Sequence, residues 1–320
     1  MRVRSTTLRV QGPYSLKANV LSHGWHECAP LSWSEGGQCF QIIERNKKDA
    51  FRVSVIQVAR RKDNGTLRIV VDGASVSDEI MAQARASVRR VLSLDEDLTE
   101  FYEICRRHPA LHPIPQLGAG RGLRSSSMTE NIIKVLCFAN VNWVQAVKMI
   151  NRLAQLGPTV PNFANLNAWP TPREILRAGE RYLVEVCRVG YRADSILTFC
   201  RDVCDGRFDA EGLFELTKSD EVSSDELLEQ LRSIRGIGPT GAHYLLSFLG
   251  RHDRLAIDSS TIAHVARTHR RGRKPTPKQI EAIYEPFGKW KNLVWWCEFW
   301  LTWDTAEQTL RENGLIDRRR

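Results

Sequence analysis

The sequence contains no continuous run of about 18 apolar residues, so we expect no membrane-spanning helix. The basic first ten residues, MRVRSTTLRV, are not followed by an apolar core, which argues against a secretory signal. The eight cysteines are scattered and none forms a Cys-x-x-Cys pair. The sequence therefore predicts an intracellular protein in a reducing compartment, with no metal site built from paired cysteines.

The composition is that of an ordinary globular protein with a basic surplus. Of the 320 residues, 42% are hydrophobic and 26% are charged, and the formal net charge is +9. A positive balance favours a polyanionic partner, although many basic proteins bind no nucleic acid. Charge alone therefore leaves the function open.

Two regions with different periodicity follow one another along the chain. The first reads as strands at 8–10, 14–21, 39–43, 51–59 and 67–71, with a hairpin turn at Asp63-Asn64-Gly65 and short helices after Ser75. From Met128 onward nearly every segment has helical spacing. We predict an α+β protein with an N-terminal antiparallel β-domain over 1–108, a Pro- and Gly-rich linker over 109–122 and an α-helical core over 123–320.

The most informative stretch lies at 227–250 and just beyond it. A helix with apolar spacing runs into Gly236-Ile237-Gly238, and Pro239 then suits the first turn of a second helix. An apolar run follows, and it ends at Asp258. Glycines let a backbone approach another molecule closely, and the free amides of such a hairpin form an anion site. Taken singly, Gly-x-Gly is more often a helix corner and Asp258 more often a helix N-cap.

This combination resembles the helix-hairpin-helix DNA glycosylases, the superfamily of endonuclease III, 8-oxoguanine glycosylase and 3-methyladenine DNA glycosylase II. The family pattern is a helix, Gly-(Val/Ile)-Gly, a second helix, and then two apolar residues before an aspartate. The resemblance implies a two-lobed helical core in which Gly236, Ile237, Gly238 and Thr240 bind DNA and Asp258 is catalytic. It also suggests that hairpin carbonyls hold a monovalent cation.

Two departures from the family pattern bear on the mechanism. Members that also cut the strand have a lysine two residues after the second glycine, where this chain has Thr240. Threonine cannot form a Schiff base, so the resemblance implies a monofunctional enzyme. Only Cys297 follows Asp258, which predicts no iron–sulfur cluster.

Further candidates lie in two loops and near the C-terminus. Asn140 and Tyr191-Arg192 resemble the loops that fill the gap left by a flipped base, although Asn140 also suits a turn and Tyr191 also suits packing. Trp296, Trp300 and Trp303 share a predicted helix face. Trp296 and Trp300 are base-pocket candidates, and such a stripe is otherwise core packing.

The function that this resemblance implies is a monofunctional DNA glycosylase that removes a damaged, alkylated purine from double-stranded DNA. No cofactor is expected apart from the suggested cation, and the protein is expected to act as a monomer without a membrane partner. It would work in the bacterial nucleoid or, in a eukaryote, in the nucleus. The alternatives are an 8-oxoguanine-type glycosylase, a strand-cutting enzyme with a displaced lysine, and a non-catalytic module that binds damaged DNA.

Overall fold

The N-terminal region is a five-stranded antiparallel sheet. The computed structural model describes residues 2–47, 49–61, 64–217 and 222–316. The strands follow the order β1-β5-β4-β3-β2 in the sheet. Their bounds are β1 Arg2–Gln11, β2 Leu31–Ser34, β3 Cys39–Asn46, β4 Asp49–Arg61 and β5 Asn64–Gly73. Alternate residues face the core, among them Leu67, Ile69 and Val71 of β5, as expected for a sheet covered on one face. The predicted antiparallel β-domain is thus confirmed.

Two details of this region differ from the prediction. The segment predicted as a strand at 14–21 is instead helix α1, Leu16–Leu21, because the Ser15 side chain caps it by accepting from the Ala18 amide. Asn64 and Gly65, predicted to form a turn, pair inside the β4–β5 ladder. Asp63 lies outside the described residues.

The rest of the described chain is mostly helical, as predicted. Three short 3-10 helices lie at Gly24–Glu27, Pro109–Leu111 and Glu285–Trp290. The α-helices are α2 Asp78–Val91, α3 Thr99–Arg107, α4 Pro113–Leu117, α5 Met128–Phe138, α6 Trp143–Ala154, α7 Pro172–Glu185, α8 Arg192–Cys204, α9 Gly212–Leu216, α10 Ser224–Ser233, α11 Pro239–Phe248, α12 Ser259–His269, α13 Pro277–Tyr284, α14 Lys291–Trp300 and α15 Asp304–Glu312. Among the described residues, no helix is both long and apolar enough to span a bilayer.

The helices divide between two hydrophobic cores. The sheet shares the first core with α2, α5, α6, α8, α10 and α11. The second core joins α3 and α4 to α12, α13, α14 and α15. The segment 109–122, predicted as a linker, is instead packed, because Leu111, Ile114 and Leu117 lie buried in the second core. The chain enters the second core between Leu94 and Leu98, returns to the first before Leu123, and passes to the second again between Leu249 and Leu255, just after the hairpin.

A charged pair is enclosed within α5. The Lys134 side chain is 0% exposed, and its Nζ lies 2.7 Å from Oε1 of Glu130, which is also buried. Lys134 further donates to Oγ of Ser125 at 3.1 Å and to the carbonyl of Cys28 at 3.4 Å. Two hydrogen-bond acceptors and an adjacent carboxylate therefore surround the ammonium group, which makes its burial tolerable.

Candidate active site

The two hairpin glycines differ in whether the protein's own structure requires glycine at that position. Gly236 has φ of +90°, and a Cβ there would lie 2.7 Å from Ser195 Oγ and 2.9 Å from Leu136 Cδ2. A side chain at 236 would therefore be strained and would collide with the protein's own core. Gly238 has φ of −86°, and a Cβ there would meet nothing within 4 Å. Nothing within the protein requires glycine at 238, where the surface is open.

The hairpin also exposes the start of α11. Ile237 is 7% exposed and anchors the turn, and its amide donates to the carbonyl of Ile234 at 3.0 Å. Gly238 is the N-cap and supplies no side-chain cap to the first turn of α11. The amides at the start of a helix have no intrahelical acceptor, so this turn suits an anion.

Thr240 connects the hairpin helix to the segment that carries Asp258. Its Oγ1 donates to the carbonyl of Ile257 at 3.0 Å. The hydroxyl proton is therefore already donated within the protein, although Thr240 itself lines the cleft described below. Its role in this structure is to fix the distance between α11 and Asp258.

Asp258 is held by donors on both carboxylate oxygens. As the N-cap of α12, its Oδ1 accepts from the amide of Thr261 at 2.8 Å and from the hydroxyl of Thr261 at 3.0 Å. Its Oδ2 accepts from the Tyr244 hydroxyl at 2.9 Å. Burial, together with the nearby Asp258, raises the pKa of Tyr244 well above its usual range, so the phenol keeps its proton and donates. The carboxylate is thus fixed in one orientation.

Tyr244 was not singled out by the sequence reasoning. It lies four residues after Thr240 on α11, so the two side chains share one face of that helix. Both reach the Ile257–Asp258 segment. This spacing was the signal in the sequence that could have found it.

A cleft of about 1100 Å³ lies beside Asp258. One wall is aromatic and includes Trp296, whose ring stacks on His23 with centroids 4.5 Å apart. The indole N–H of Trp296 donates to the carbonyl of Ser22 at 3.1 Å. Burial, with further contributions from His252 and His26, lowers the pKa of His23 to about 3, so its imidazole is neutral. The cleft wall is therefore flat, aromatic and uncharged at this point.

The aromatic wall differs in part from the prediction. Trp300 is 1% exposed, lies in the second core and is absent from the cleft, so its predicted place in the base pocket is corrected. Phe299 and Trp303 line the cleft in its place, beside Trp295. Because α14 ends at Trp300, Trp303 does not follow the helical spacing that grouped it with Trp300.

The predicted loop residues meet at the edge of this cleft. Asn140 has φ of +51°, and its Nδ2 donates to the Tyr191 hydroxyl at 3.3 Å. Tyr191 is 68% exposed, whereas Arg192 is 7% exposed. The Nε of Arg192 donates to the carbonyl of Ala139 at 3.0 Å, so this guanidinium supports the Asn140 loop from inside. Asn140 lines the cleft, and Tyr191 stands beside it at the surface.

One cluster has the residue types of a metal site. The ligand atoms of His264, His269 and Glu298 all lie within 4.8 Å of one another. The Glu298 carboxylate already accepts from Tyr284 at 2.5 Å and contacts Nε2 of His264 at 3.2 Å and of His269 at 2.9 Å. A metal on Nε2 of His264 would move its proton to Nδ1, which is buried without a partner. The geometry therefore favours a hydrogen-bonded network.

Comparisons with known proteins bear on the fold. No family model matches the sequence. The DNA-3-methyladenine glycosylase of Bacillus subtilis strain 168 is 25% identical over 211 residues, which are 63% of this chain and 66% of that protein. The match thus spans just under two thirds of this curated relative.

Two solved structures resemble nearly the whole chain. The 3-methyladenine DNA glycosylase of Archaeoglobus fulgidus has a TM-score of 0.73 and 20% identity, over 92% of this chain and 98% of its own. The 8-oxoguanine glycosylase/lyase of Clostridium acetobutylicum, solved with double-stranded DNA, has a TM-score of 0.68 and 17% identity, over 98% and 99%. The chain has the helix-hairpin-helix DNA glycosylase fold. The resemblance drawn from the hairpin residues is confirmed at this level.

Within the glycosylase fold, the cleft collects residues from distant parts of the chain. His23 comes from the β-domain, Asn140 from the loop before α6, Gly238 from the hairpin and Trp296 from α14. They surround a space that opens beside the oriented carboxylate of Asp258. The arrangement combines a helix start that suits an anion, an aromatic wall and an oriented carboxylate.

Proposed function

We propose that this protein is a monofunctional DNA glycosylase that extrudes an alkylated purine from duplex DNA and hydrolyses its N-glycosidic bond. The observation that carries the proposal is the carboxylate of Asp258, oriented by Tyr244 and Thr261 beside an aromatic cleft. The hairpin at Gly236–Gly238 would bind a phosphate next to the flipped nucleotide, and its carbonyls would hold a monovalent cation.

The chemistry follows from the position of the charge. As the bond between C1′ and the base nitrogen breaks, the base leaves with the electron pair and the sugar becomes an oxocarbenium-like cation. A preorganised carboxylate stabilises this cation. Water then adds to C1′ and releases a proton, which the carboxylate or solvent accepts. Because both Asp258 oxygens are already bonded, it meets this charge without reorganising.

Whether the strand is also cleaved depends on which amine nucleophiles can reach the cleft. No lysine is found among the described residues that line the cleft, and Thr240 stands where the family pattern has one. Lys134 is fully buried in its ion pair. We expect base release without nicking, and no covalent adduct when borohydride is added to the reaction. A trapped protein–DNA adduct, or nicked product before alkali treatment, would refute the monofunctional assignment.

The alkylated-purine assignment rests on the aromatic wall. Electron-poor, alkylated rings stack well on indole, and a weakly held base leaves without nucleophilic help. Excision of 3-methyladenine, 7-methylguanine, hypoxanthine, uracil and 8-oxoguanine from otherwise identical duplexes is the direct test. Release of the alkylated purines is expected, and efficient release of uracil would contradict the assignment.

The contact between Asn140 and Tyr191 is consistent with one alternative. The sequences of their two loops resemble those with which 8-oxoguanine glycosylases fill the gap left by a flipped base. Release of 8-oxoguanine alone in the same panel would select that alternative. Tight binding to lesion duplexes without any release would select the non-catalytic module.

The two hairpin glycines offer a matched pair of variants. Gly238→Leu is expected to fold normally and to weaken binding to all duplexes alike, because phosphate contacts carry no sequence information. Gly236→Ala should instead lower the melting temperature, since its Cβ would meet Ser195 and Leu136. Thermal unfolding and binding to undamaged and lesion duplexes separate the effects. A loss of binding by Gly238→Leu that is confined to one lesion would contradict phosphate docking.

A further inference from the structure

A carboxylate and an imidazole joined by a hydrogen bond line the cleft in addition to Asp258. His252 is 5% exposed, and its Nε2 lies 2.6 Å from Oε1 of Glu96, whose side chain is 16% exposed. Glu96 lies in the loop between α2 and α3, and His252 follows α11, so the pair joins segments 156 residues apart. Both residues face the same cleft as Asp258.

A short chain of hydrogen bonds places this pair next to the catalytic segment. The amide of Ala256, two residues before Asp258, donates to Oδ1 of Asn292 at 3.4 Å. The amide of Asn292 in turn donates to the carbonyl of His252 at 2.9 Å. One residue thus separates His252 from the strand-like segment that ends at Asp258. Glu96 is thus connected to the segment of Asp258 through His252 and Asn292, and both carboxylates line the same cleft.

The backbone and the charge of Glu96 are both fixed. The carbonyl of Glu96 accepts from Nη1 of Arg121 at 2.7 Å, which holds the loop in place. Burial raises the pKa of this carboxyl, but the charge and hydrogen bond of His252, helped by Arg124 and Arg121, lower it below its usual value overall. Glu96 is therefore an anion, and because a carboxylate only accepts, the proton lies on Nε2 of His252.

Besides His252, the described residues that line the cleft include two basic side chains, Arg124 and His23. Arg124 is the one arginine among the described residues that line the cleft, and its Nε donates to the carbonyl of Arg90 at 2.8 Å. A second nitrogen of its guanidinium donates to the carbonyl of Phe248. His23, on the aromatic wall, is neutral. The Oε1 atom of Glu96 is bonded to His252, which leaves Oε2 as an acceptor for a ligand.

We propose that Glu96 is the residue that selects the extruded base, by accepting an N–H group from its edge and by attracting a positively charged ring. His252 is a positioning residue that holds the carboxylate in place. This inference rests on the proposed glycosylase function and names its substrate class. Alkylation at N3 of adenine or N7 of guanine makes the nucleobase cationic while its N–H donors remain, which a fixed carboxylate favours over a neutral purine.

Two variants, Glu96→Gln and Glu96→Ala, separate the effect of the charge of Glu96 from the effect of its hydrogen bond. Glu96→Gln keeps an acceptor but removes the charge. We expect it to lower kcat/KM for 7-methylguanine by about tenfold or more, and to change hypoxanthine release far less, since only the first base is cationic. Glu96→Ala removes both features and should lower release of both bases. His252→Gln should lower the ratio of the two rates in the same direction as Glu96→Gln, by a smaller factor.

The control is an ion pair that also joins distant segments but lies outside the cleft. Glu312→Gln breaks the contact of Glu312 with Lys17, at 2.9 Å, and should leave the ratio of rates unchanged. If Glu96→Gln fails to fold, as judged by thermal unfolding, the ratio of the rates for 7-methylguanine and hypoxanthine can be measured in His252→Gln, which keeps the carboxylate.

The outcomes distinguish the inference from the function on which it rests. An unchanged ratio in folded Glu96→Gln and folded His252→Gln would show that the hydrogen bond between Glu96 and His252 is structural only, and would overturn the inference while the glycosylase proposal stands. If the unaltered protein releases no base from any duplex, the proposed function fails and the inference falls with it.

Discussion

The Asp258→Asn variant is expected to bind duplex DNA with nearly unchanged affinity and to lose base release by about a hundredfold or more. Loss of one preorganised electrostatic partner of a transition state typically has an effect of this size. Asparagine is also a good helix N-cap, so the bond from the Thr261 amide should persist and stability should change little. Single-turnover release of an alkylated base, measured beside DNA binding, gives both quantities.

The control for this variant is another helix cap. Ser77 caps α2 by accepting from the Ile80 amide at 3.3 Å and does not line the cleft. Ser77→Ala should cost about 1 kcal/mol of stability and leave base release intact. Near-normal turnover by Asp258→Asn would show that Asp258 is a helix cap and nothing more.

The Lys134→Met variant is expected to lose about 3–5 kcal/mol of folding stability, because Glu130 would remain as a buried, unpaired carboxylate. Methionine preserves most of the apolar volume beside the rings of Trp25 and Trp169, so the loss would arise mainly from charge. Chemical denaturation of the purified protein measures it. The double variant Glu130→Gln, Lys134→Met should recover part of the loss.

A surface pair with the same spacing is the matched control. Arg181 and Glu185 are also four residues apart on a helix and lie 3.0 Å apart, but their side chains are 88% and 60% exposed. Arg181→Met should leave the denaturation midpoint essentially unchanged, since solvent screens exposed pairs. Equal losses at the two sites would contradict the role given to burial.

Local signals in the sequence were enough to predict most helices and the hairpin. Gly236 and Pro239 have conformational preferences that the sequence alone shows, and the hairpin and the start of α11 lie where these residues predict them. Helix α1 was mistaken for a strand because five of its six residues are buried, and a short apolar run has no distinguishing period.

The rest of the site depends on contacts between distant segments. Asp258 could be found because a motif precedes it, whereas His23 and Glu96 have no motif around them. Their importance comes from the partners Trp296 and His252, far along the chain. Helical spacing puts Trp300 and Trp303 on the same face only if α14 continues past Trp300. The sequence does not show where α14 ends, because its end depends on packing in the second core.

The contact between Trp296 and Ser22 has a consequence for the timing of biosynthesis. The indole N–H and the carbonyl it reaches are 274 residues apart. At translation rates of about 5–20 residues per second, Ser22 is synthesised roughly 15–55 seconds before Trp296. During this interval the newly synthesised sheet has no Trp296 ring to stack on His23. Since the aromatic wall is complete only when α14 has left the ribosome, a growing chain cannot hold a base in this cleft.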